Sequence, residues 1–219
     1  MARADEILAL LKQEASPTYL AGMKRFNIDN STALGVPLPQ IRKLAKLTKK
    51  DHQLGLALWA TNIHEARIMA SLVDEPTLVT ETQMDEWVRD FNSWDLCDQV
   101  CGNLFDRTQF VIAKAVEYSK REEEFIKRAG FVLMAEYAVH NKKAADKIFI
   151  DLLPVIEREA WDDRNFVKKA VNWALRQIGK RNTMLKNAAI ETSKLIVKQN
   201  SKAAKWIGTN ALKELEKTA

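Results

Sequence analysis

Arg164-Asn165-Phe166-Val167-Lys168-Lys169-Ala170-Val171-Asn172-Trp173-Ala174-Leu175-Arg176-Gln177-Ile178-Gly179-Lys180-Arg181 reads as one amphipathic helix. Val167, Ala170, Val171, Ala174 and Ile178 recur at helical spacing and form a packing side. Phe166, Lys169, Trp173 and Arg176 fall at i, i+3, i+7 and i+10 and share another side. The start of this stretch has a precursor. Phe125-Ile126-Lys127-Arg128-Ala129 returns 41 residues later as Phe166-Val167-Lys168-Lys169-Ala170. Arg67, in Ile63-His64-Glu65-Ala66-Arg67-Ile68-Met69-Ala70, sits in a similar context. A period near 40 built from helix pairs is the mark of HEAT- or armadillo-like units. One such pair cannot bury its own apolar face, so pairs stack into a curved array whose concave side is the usual binding surface. Repeated Arg and Lys at one register are expected to line that surface with positive charge.

Outward from this stretch, the same periodicity covers the chain. Helices are predicted near 51–60, 63–73, 80–90, 94–106, 108–118, 122–139, 142–158, 164–179, 183–198 and 202–217. Before them come Arg3 to Ala15, a second helix restarted by Ser16-Pro17 and ending near Phe26, and a third from about Pro39 to Leu47. Ser16 is a cap and Pro17 suits the first helical position. Residues 27–39 are the longest irregular stretch. No strand-like alternation competes, so the expectation is all-α: a single HEAT/armadillo-like solenoid domain over 1–219, with a concave basic face. Seven Gly and five Pro in 219 residues agree with this and argue against a turn-rich β fold.

Composition narrows the function. No apolar run nears the ~20 residues needed to span a membrane, and the N-terminal stretch, with Asp5 and Glu6, does not read as a signal peptide. Cys97 and Cys101 lack zinc-knuckle spacing and a second pair, so they read as buried, reduced thiols of a cytoplasmic protein. The net charge of +5 is uneven. Residues 1–118 hold 13 Lys/Arg against 16 Asp/Glu, and from Arg164 onward the balance is 13 against 3. A basic half is a footprint for a polyanion, DNA or RNA first; a solvated lysine-rich surface is the plainer reading. Trp173 between Lys169 and Arg176 is the aromatic-with-base pattern of a nucleic-acid surface. The alternative is an indole that seals a helix contact with Arg stacked on it.

The second informative stretch is Phe91-Asn92-Ser93-Trp94-Asp95-Leu96-Cys97-Asp98-Gln99-Val100-Cys101-Gly102-Asn103-Leu104-Phe105. As a helix it puts Trp94 and Asp98 one turn apart on one face, continued by Cys101 and Phe105. An indole face attracts cations, and a carboxylate attracts them more strongly. The pair suits a substrate that carries or develops positive charge. Asp95 lies about 100° away and reads as compensation of the helix dipole. His52, His64 and His140 are scattered and suggest no chemistry.

Three stretches together resemble the DNA alkylation repair enzymes, the HEAT-like-repeat alkylpurine DNA glycosylases. They are Leu34-Gly35-Val36 with Pro39 and Ile41-Arg42-Lys43-Leu44; Trp94-Asp95-Leu96-Cys97-Asp98; and Lys168-Lys169-Ala170-Val171-Asn172-Trp173-Ala174-Leu175-Arg176. The resemblance runs in order over roughly residues 15–200. It implies double-stranded DNA with alkylated bases as partner, and removal of cationic N3- or N7-alkylated purines without base flipping. It implies Asp98 as the catalytic carboxylate, Trp94 and Trp173 as two indoles beside the lesion sugar, and Arg128, Arg176, Lys169, Phe166 and Phe26 as DNA contacts. Phe26 is loosely aligned, and Asn165-Phe166 has one aromatic where some relatives have two. The implied enzyme is a monomer without cofactor or metal. Two rivals stand beside it: a non-catalytic relative that binds distorted or branched DNA, and a helical-repeat scaffold for proteins.

Overall fold

Side-chain caps start several helices where the sequence offers Ser, Asp, Thr or Asn. Ser16, Asp51, Thr80, Asn182 and Ser201 each accept a hydrogen bond from the backbone N–H three residues on, which satisfies one donor that a helix start leaves unpaired. The computed structural model describes residues 2–217. Among these residues there are thirteen α-helices and no strand: α1 (Ala2–Gln13), α2 (Pro17–Met23), α3 (Leu38–Leu47), α4 (His52–Trp59), α5 (His64–Val73), α6 (Glu81–Arg89), α7 (Trp94–Asn103), α8 (Val111–Tyr118), α9 (Glu124–His140), α10 (Asp146–Glu159), α11 (Asn165–Gly179), α12 (Thr183–Val197) and α13 (Lys202–Leu215). Short 3₁₀ turns follow at Lys24–Phe26 and Phe105–Arg107. None of the described helices is long and apolar enough to cross a membrane.

The helices gather into two compact units, Met1–Thr108 and Gln109–Ala219. In the first, α5 packs against α3, α4 and α7, and α1 packs on α4 and α5. In the second, α9 packs on α11 and α11 on α13, while α10 packs on α12. Alternate helices thus stack on one another, which is how repeated helix pairs bury a continuous core. The internal repeat is visible in that stack. Ala129 and Ala170 are both fully buried, and the aromatic rings of Phe125 and Phe166 lie 5.6 Å apart. Gly130 lets α9 approach α8 closely: a Cβ there would sit 2.5 Å from the Ser119 backbone nitrogen.

Three predicted boundaries shift by three residues or more, one of them the start of the helix expected at 108, which begins at Val111. The helix expected over 94–106 stops at Asn103, because Leu104 leaves helical geometry at φ −132°, ψ −60°. Phe105 therefore is not on the face of Trp94 and Asp98; it is buried in the following turn, 6.0 Å from the ring of Trp87. The helix expected from 142 begins at Asp146. It runs through Pro154, whose missing N–H is tolerated on an exposed face.

Candidate nucleic-acid interface

In the first unit the site is built on the start of α7. Ser93 is extended at φ −154°, so Trp94 opens the helix. The indole Nε1 of Trp94 donates to the carbonyl of Phe26 at 2.8 Å. Asn92 Nδ2 donates to Asp29 Oδ2 at 2.9 Å. These two bonds hold the Lys24–Phe26 turn and the following loop beside α7. Phe26, the loosely aligned aromatic, is thus brought next to Trp94, with 65 % of its surface exposed. Asp98 follows one turn after Trp94 and both are half-buried. Leu96, Cys97, Val100 and Cys101 are fully buried on the packing side.

Behind Trp94 lies a cavity of about 160 Å³ whose lining includes Tyr19, His64, Glu65, Asp95 and Gln99. Two features here were not legible as chemistry. First, Asp95 Oδ2 pairs with His64 Nε2 at 2.9 Å. Burial alone would raise the Asp95 carboxyl, but the hydrogen bond and charge of His64 outweigh it and hold the group below its ordinary value. Burial would likewise lower His64, yet Asp95, Glu65 and Asp29 together raise it above its ordinary value. Asp95 is therefore more than a dipole-compensating residue of the first turn. Second, Glu65, 1 % exposed, accepts from the backbone N–H groups of Leu34, Gly35 and Val36 at 2.8, 2.7 and 3.1 Å. Gly35 has φ +81°, and a Cβ there would lie 2.6 Å from the Ser16 carbonyl oxygen. The Leu34-Gly35-Val36 motif is thus a loop clamped by one carboxylate, at a position that only glycine fits.

In the second unit the two faces of α11 appear as predicted. Val167, Ala170, Val171, Ala174 and Ile178 are fully buried; Phe166, Trp173 and Arg176 are half-buried and Lys169 is exposed. The cations differ in what they touch. Arg128 is 5 % exposed, and its Nη1 donates to the Phe166 carbonyl at 2.6 Å. Lys127 is buried too, and its Nζ pairs with Glu159 at 2.8 Å and Asp162 at 3.1 Å. Arg67 pairs with Asp90 at 2.7 Å. The expected line of Arg and Lys at one register is therefore turned inward in these cases, and a charge taken out of water must be matched. Arg176 and Lys180 both pair with Glu214 of α13. Burial works to raise the Glu214 carboxyl, but these two cations hold it below its ordinary value. Neither Glu214 nor the His64–Asp95 pair left a signal in the sequence: the partners are 31 and 38 residues apart, with no periodic link.

Among the described residues no group of three His, Cys, Asp or Glu converges to hold a metal ion. What the two units present is a carboxylate and an indole on one helix, and a basic, aromatic face on another. These belong to an all-helical protein of HEAT-like repeats. A family model described as DNA alkylation repair enzyme matches residues 7–215. The chain belongs to that family. A solved structure reported as "A new family of proteins related to the HEAT-like repeat DNA glycosylases with affinity for branched DNA structures" is similar in fold, with a TM-score of 0.75 at 18 % identity, over 96 % of this chain and 94 % of that one. No curated protein matches the chain.

Proposed function

We propose that the protein is a DNA glycosylase that hydrolyses the N-glycosidic bond of cationic N3- or N7-alkylated purines in duplex DNA, without flipping the base. The observation that carries the reading is the pairing of Trp94 and Asp98 one turn apart, both half-buried, at the start of α7. Membership of the DNA alkylation repair enzyme family supports it.

The chemistry follows from charge. An alkylated purine is already cationic, so it leaves as a neutral base with no acid to protonate it. Breaking the C1′–N bond moves positive charge onto the sugar. The Asp98 carboxylate stabilises that charge, and water then adds at C1′ and loses its proton to Asp98 or solvent. One carboxylate suffices, unlike the pair used by most glycoside hydrolases. The Trp94 indole beside Asp98 adds cation–π attraction of roughly 0.5–2 kcal/mol, and the second unit offers the Trp173 indole to the DNA. Lys169 and Arg176 meet phosphate, and Phe26 and Phe166 flank the indoles as apolar contacts. Arg128 acts one step back, by bracing the first turn of the helix that carries Trp173.

A second reading has its own support. The similar solved structure belongs to proteins with affinity for branched DNA, so a DNA-binding role without excision is the rival. Release of free base from methylated duplex DNA, by wild type and Asp98→Asn side by side, decides between them. The glycosylase reading expects 7-methylguanine or 3-methyladenine from wild type, and at least ~100-fold less from the variant at equal DNA affinity. No base from either protein, with salt-dependent binding intact, leaves the branched-DNA reading.

A further inference from the structure

Trp161 and Trp206 are 57 % and 42 % exposed, although large aromatic rings are among the side chains most often covered. Both lie in the second unit. Trp161 follows α10, and Ser201 Oγ donates to its carbonyl at 3.2 Å, which seats Trp161 at the start of α13. Trp206 stands five residues further on, roughly 7–8 Å along the helix axis. Each indole carries a lysine. Lys127 Nζ lies 4.8 Å from the centroid of the Trp161 ring, and Lys168 Nζ lies 5.2 Å from that of Trp206. Lys127 and Lys168 occupy the same place in the repeated segments that begin at Phe125 and Phe166. The lysine-on-indole arrangement therefore recurs with the repeat.

The exposed charge is mixed beside Trp161, where Asp163 is exposed, and positive around Trp206. Glu159 and Asp162 are matched by Lys127, with Arg158 and Arg164 as further partners. Glu157 and Asp163 are the remaining acids beside Trp161 in sequence. Against them, Lys198, Lys202 and Lys205 are exposed. Lys202 shares the face of Trp206 at i, i+4. An indole face with nearby ammonium groups is a platform for a base with a free π face and a phosphate on either side. Duplex DNA keeps its bases stacked on one another, whereas unpaired bases stack on aromatic side chains with little regard to sequence.

We propose that Trp161 and Trp206 form a stacking platform for single-stranded DNA, with Lys168, Lys202 and Lys205 holding its phosphates. This site is separate from Trp94, Asp98 and Trp173, and it rests on the DNA-binding reading above. It would give the protein a preference for DNA in which a duplex adjoins an unpaired stretch.

The test measures affinity of the full chain by anisotropy for a blunt duplex, the same duplex with a dT overhang, and dT oligonucleotide alone. Wild type, Trp161→Ala/Trp206→Ala and Trp161→Phe/Trp206→Phe are compared, with thermal melts to establish that each is folded. The overhang is expected to tighten wild-type binding about tenfold. The Ala pair loses that gain and keeps the wild-type affinity for blunt duplex; the Phe pair, which retains a ring, keeps most of it. Blunt-duplex binding with no overhang gain in wild type overturns the platform and spares the duplex reading. An overhang gain that survives in the Ala pair also overturns it. Binding of dT alone, lost in the Ala pair, supports the platform even where duplex binding fails. No binding to any of the three overturns both. A change of molecular mass on Ala substitution with unaltered DNA affinities overturns it in favour of a second copy of the chain on this surface.

Discussion

Residues 1–108 carry 12 Lys/Arg against 15 Asp/Glu, and residues 109–219 carry 22 against 14. In the first unit a few acids are turned inside, with Glu65, Asp74 and Asp106 buried. Glu65 clamps a loop through three backbone donors. Asp74, fully buried, accepts from Gln83 Nε2 at 2.7 Å and meets His52 at 2.6 Å. Asp95 meets His64. Asp98 is the carboxylate of α7 proposed for chemistry. In the second unit the bases divide by position. On α9, Lys127 and Arg128 are buried and matched within the protein, while on α11 and α13 Lys169, Lys202 and Lys205 are exposed. Formal charge therefore overstates the surface a polyanion meets. A basic residue is open to binding when its side chain leaves the packed sides of its helix, as Lys169 does on α11, and serves the fold when it points into them, as Lys127 and Arg128 do on α9.

The sharpest way to break this division is on the acid side. Glu65→Gln replaces an acceptor-only carboxylate facing three N–H groups with an amide that brings its own donors. It is expected to cost about 2–3 kcal/mol, a fall in melting temperature of roughly 5–10 °C. An unchanged melt removes Glu65 from the loop's support.

On the basic side, Arg128→Ala and Lys169→Ala are expected to part company. Arg128→Ala costs about 1–3 kcal/mol of stability, because a buried carbonyl contact and its packing are lost. Lys169→Ala leaves the melt within about 0.5 kcal/mol and lowers the slope of log affinity against log salt by about one. If Arg128→Ala lowers the salt slope with stability intact, Arg128 belongs to the DNA surface after all.

The His64–Asp95 pair gives a pH signature. A carboxyl held low in the folded state stabilises above its unfolded value and loses that contribution as pH falls through the folded value. A histidine held high stabilises below its unfolded value and loses its contribution as pH rises through the folded one. The charged pair therefore contributes most between about pH 4 and 6.5. The stability gap between wild type and Asp95→Asn should be wider at pH 5.5 than at pH 8.5, as read by denaturant melts. Equal gaps would mean that the pair does not ionise in this range.

The smallest effect concerns Glu214, which engages Arg176 and Lys180. Glu214→Gln releases both cations toward phosphate. It is expected to tighten duplex DNA binding about two- to fivefold at low salt, with the gain fading as salt screens it. Unaltered affinity would place Arg176 outside the DNA contact.

The helices were legible because periodicity is local: apolar residues at helical spacing, with Ser16, Asp51, Thr80, Asn182 and Ser201 at their starts, need no knowledge of neighbours. The two faces of α11 and the shared face of Trp94 and Asp98 were legible for the same reason. The 41-residue echo of Phe125 in Phe166 pointed to stacked helix pairs, and in the structure those two rings touch. The end of α7 at Asn103 was not legible, since Leu104 and Phe105 continue the apolar pattern while tertiary burial sets the turn.

What the sequence by itself determined is the helical chain, its repeat, the family it belongs to, and which residues could share a helix face. What only the tertiary structure decided is the employment of each charge. Glu65 reaches Gly35, Asp95 reaches His64, Arg128 reaches Phe166 and Glu214 reaches Arg176. These partners lie about 30 to 40 residues apart on different elements. Their pairing follows from which helices stack, and from the cost of leaving a buried charge or donor unmatched.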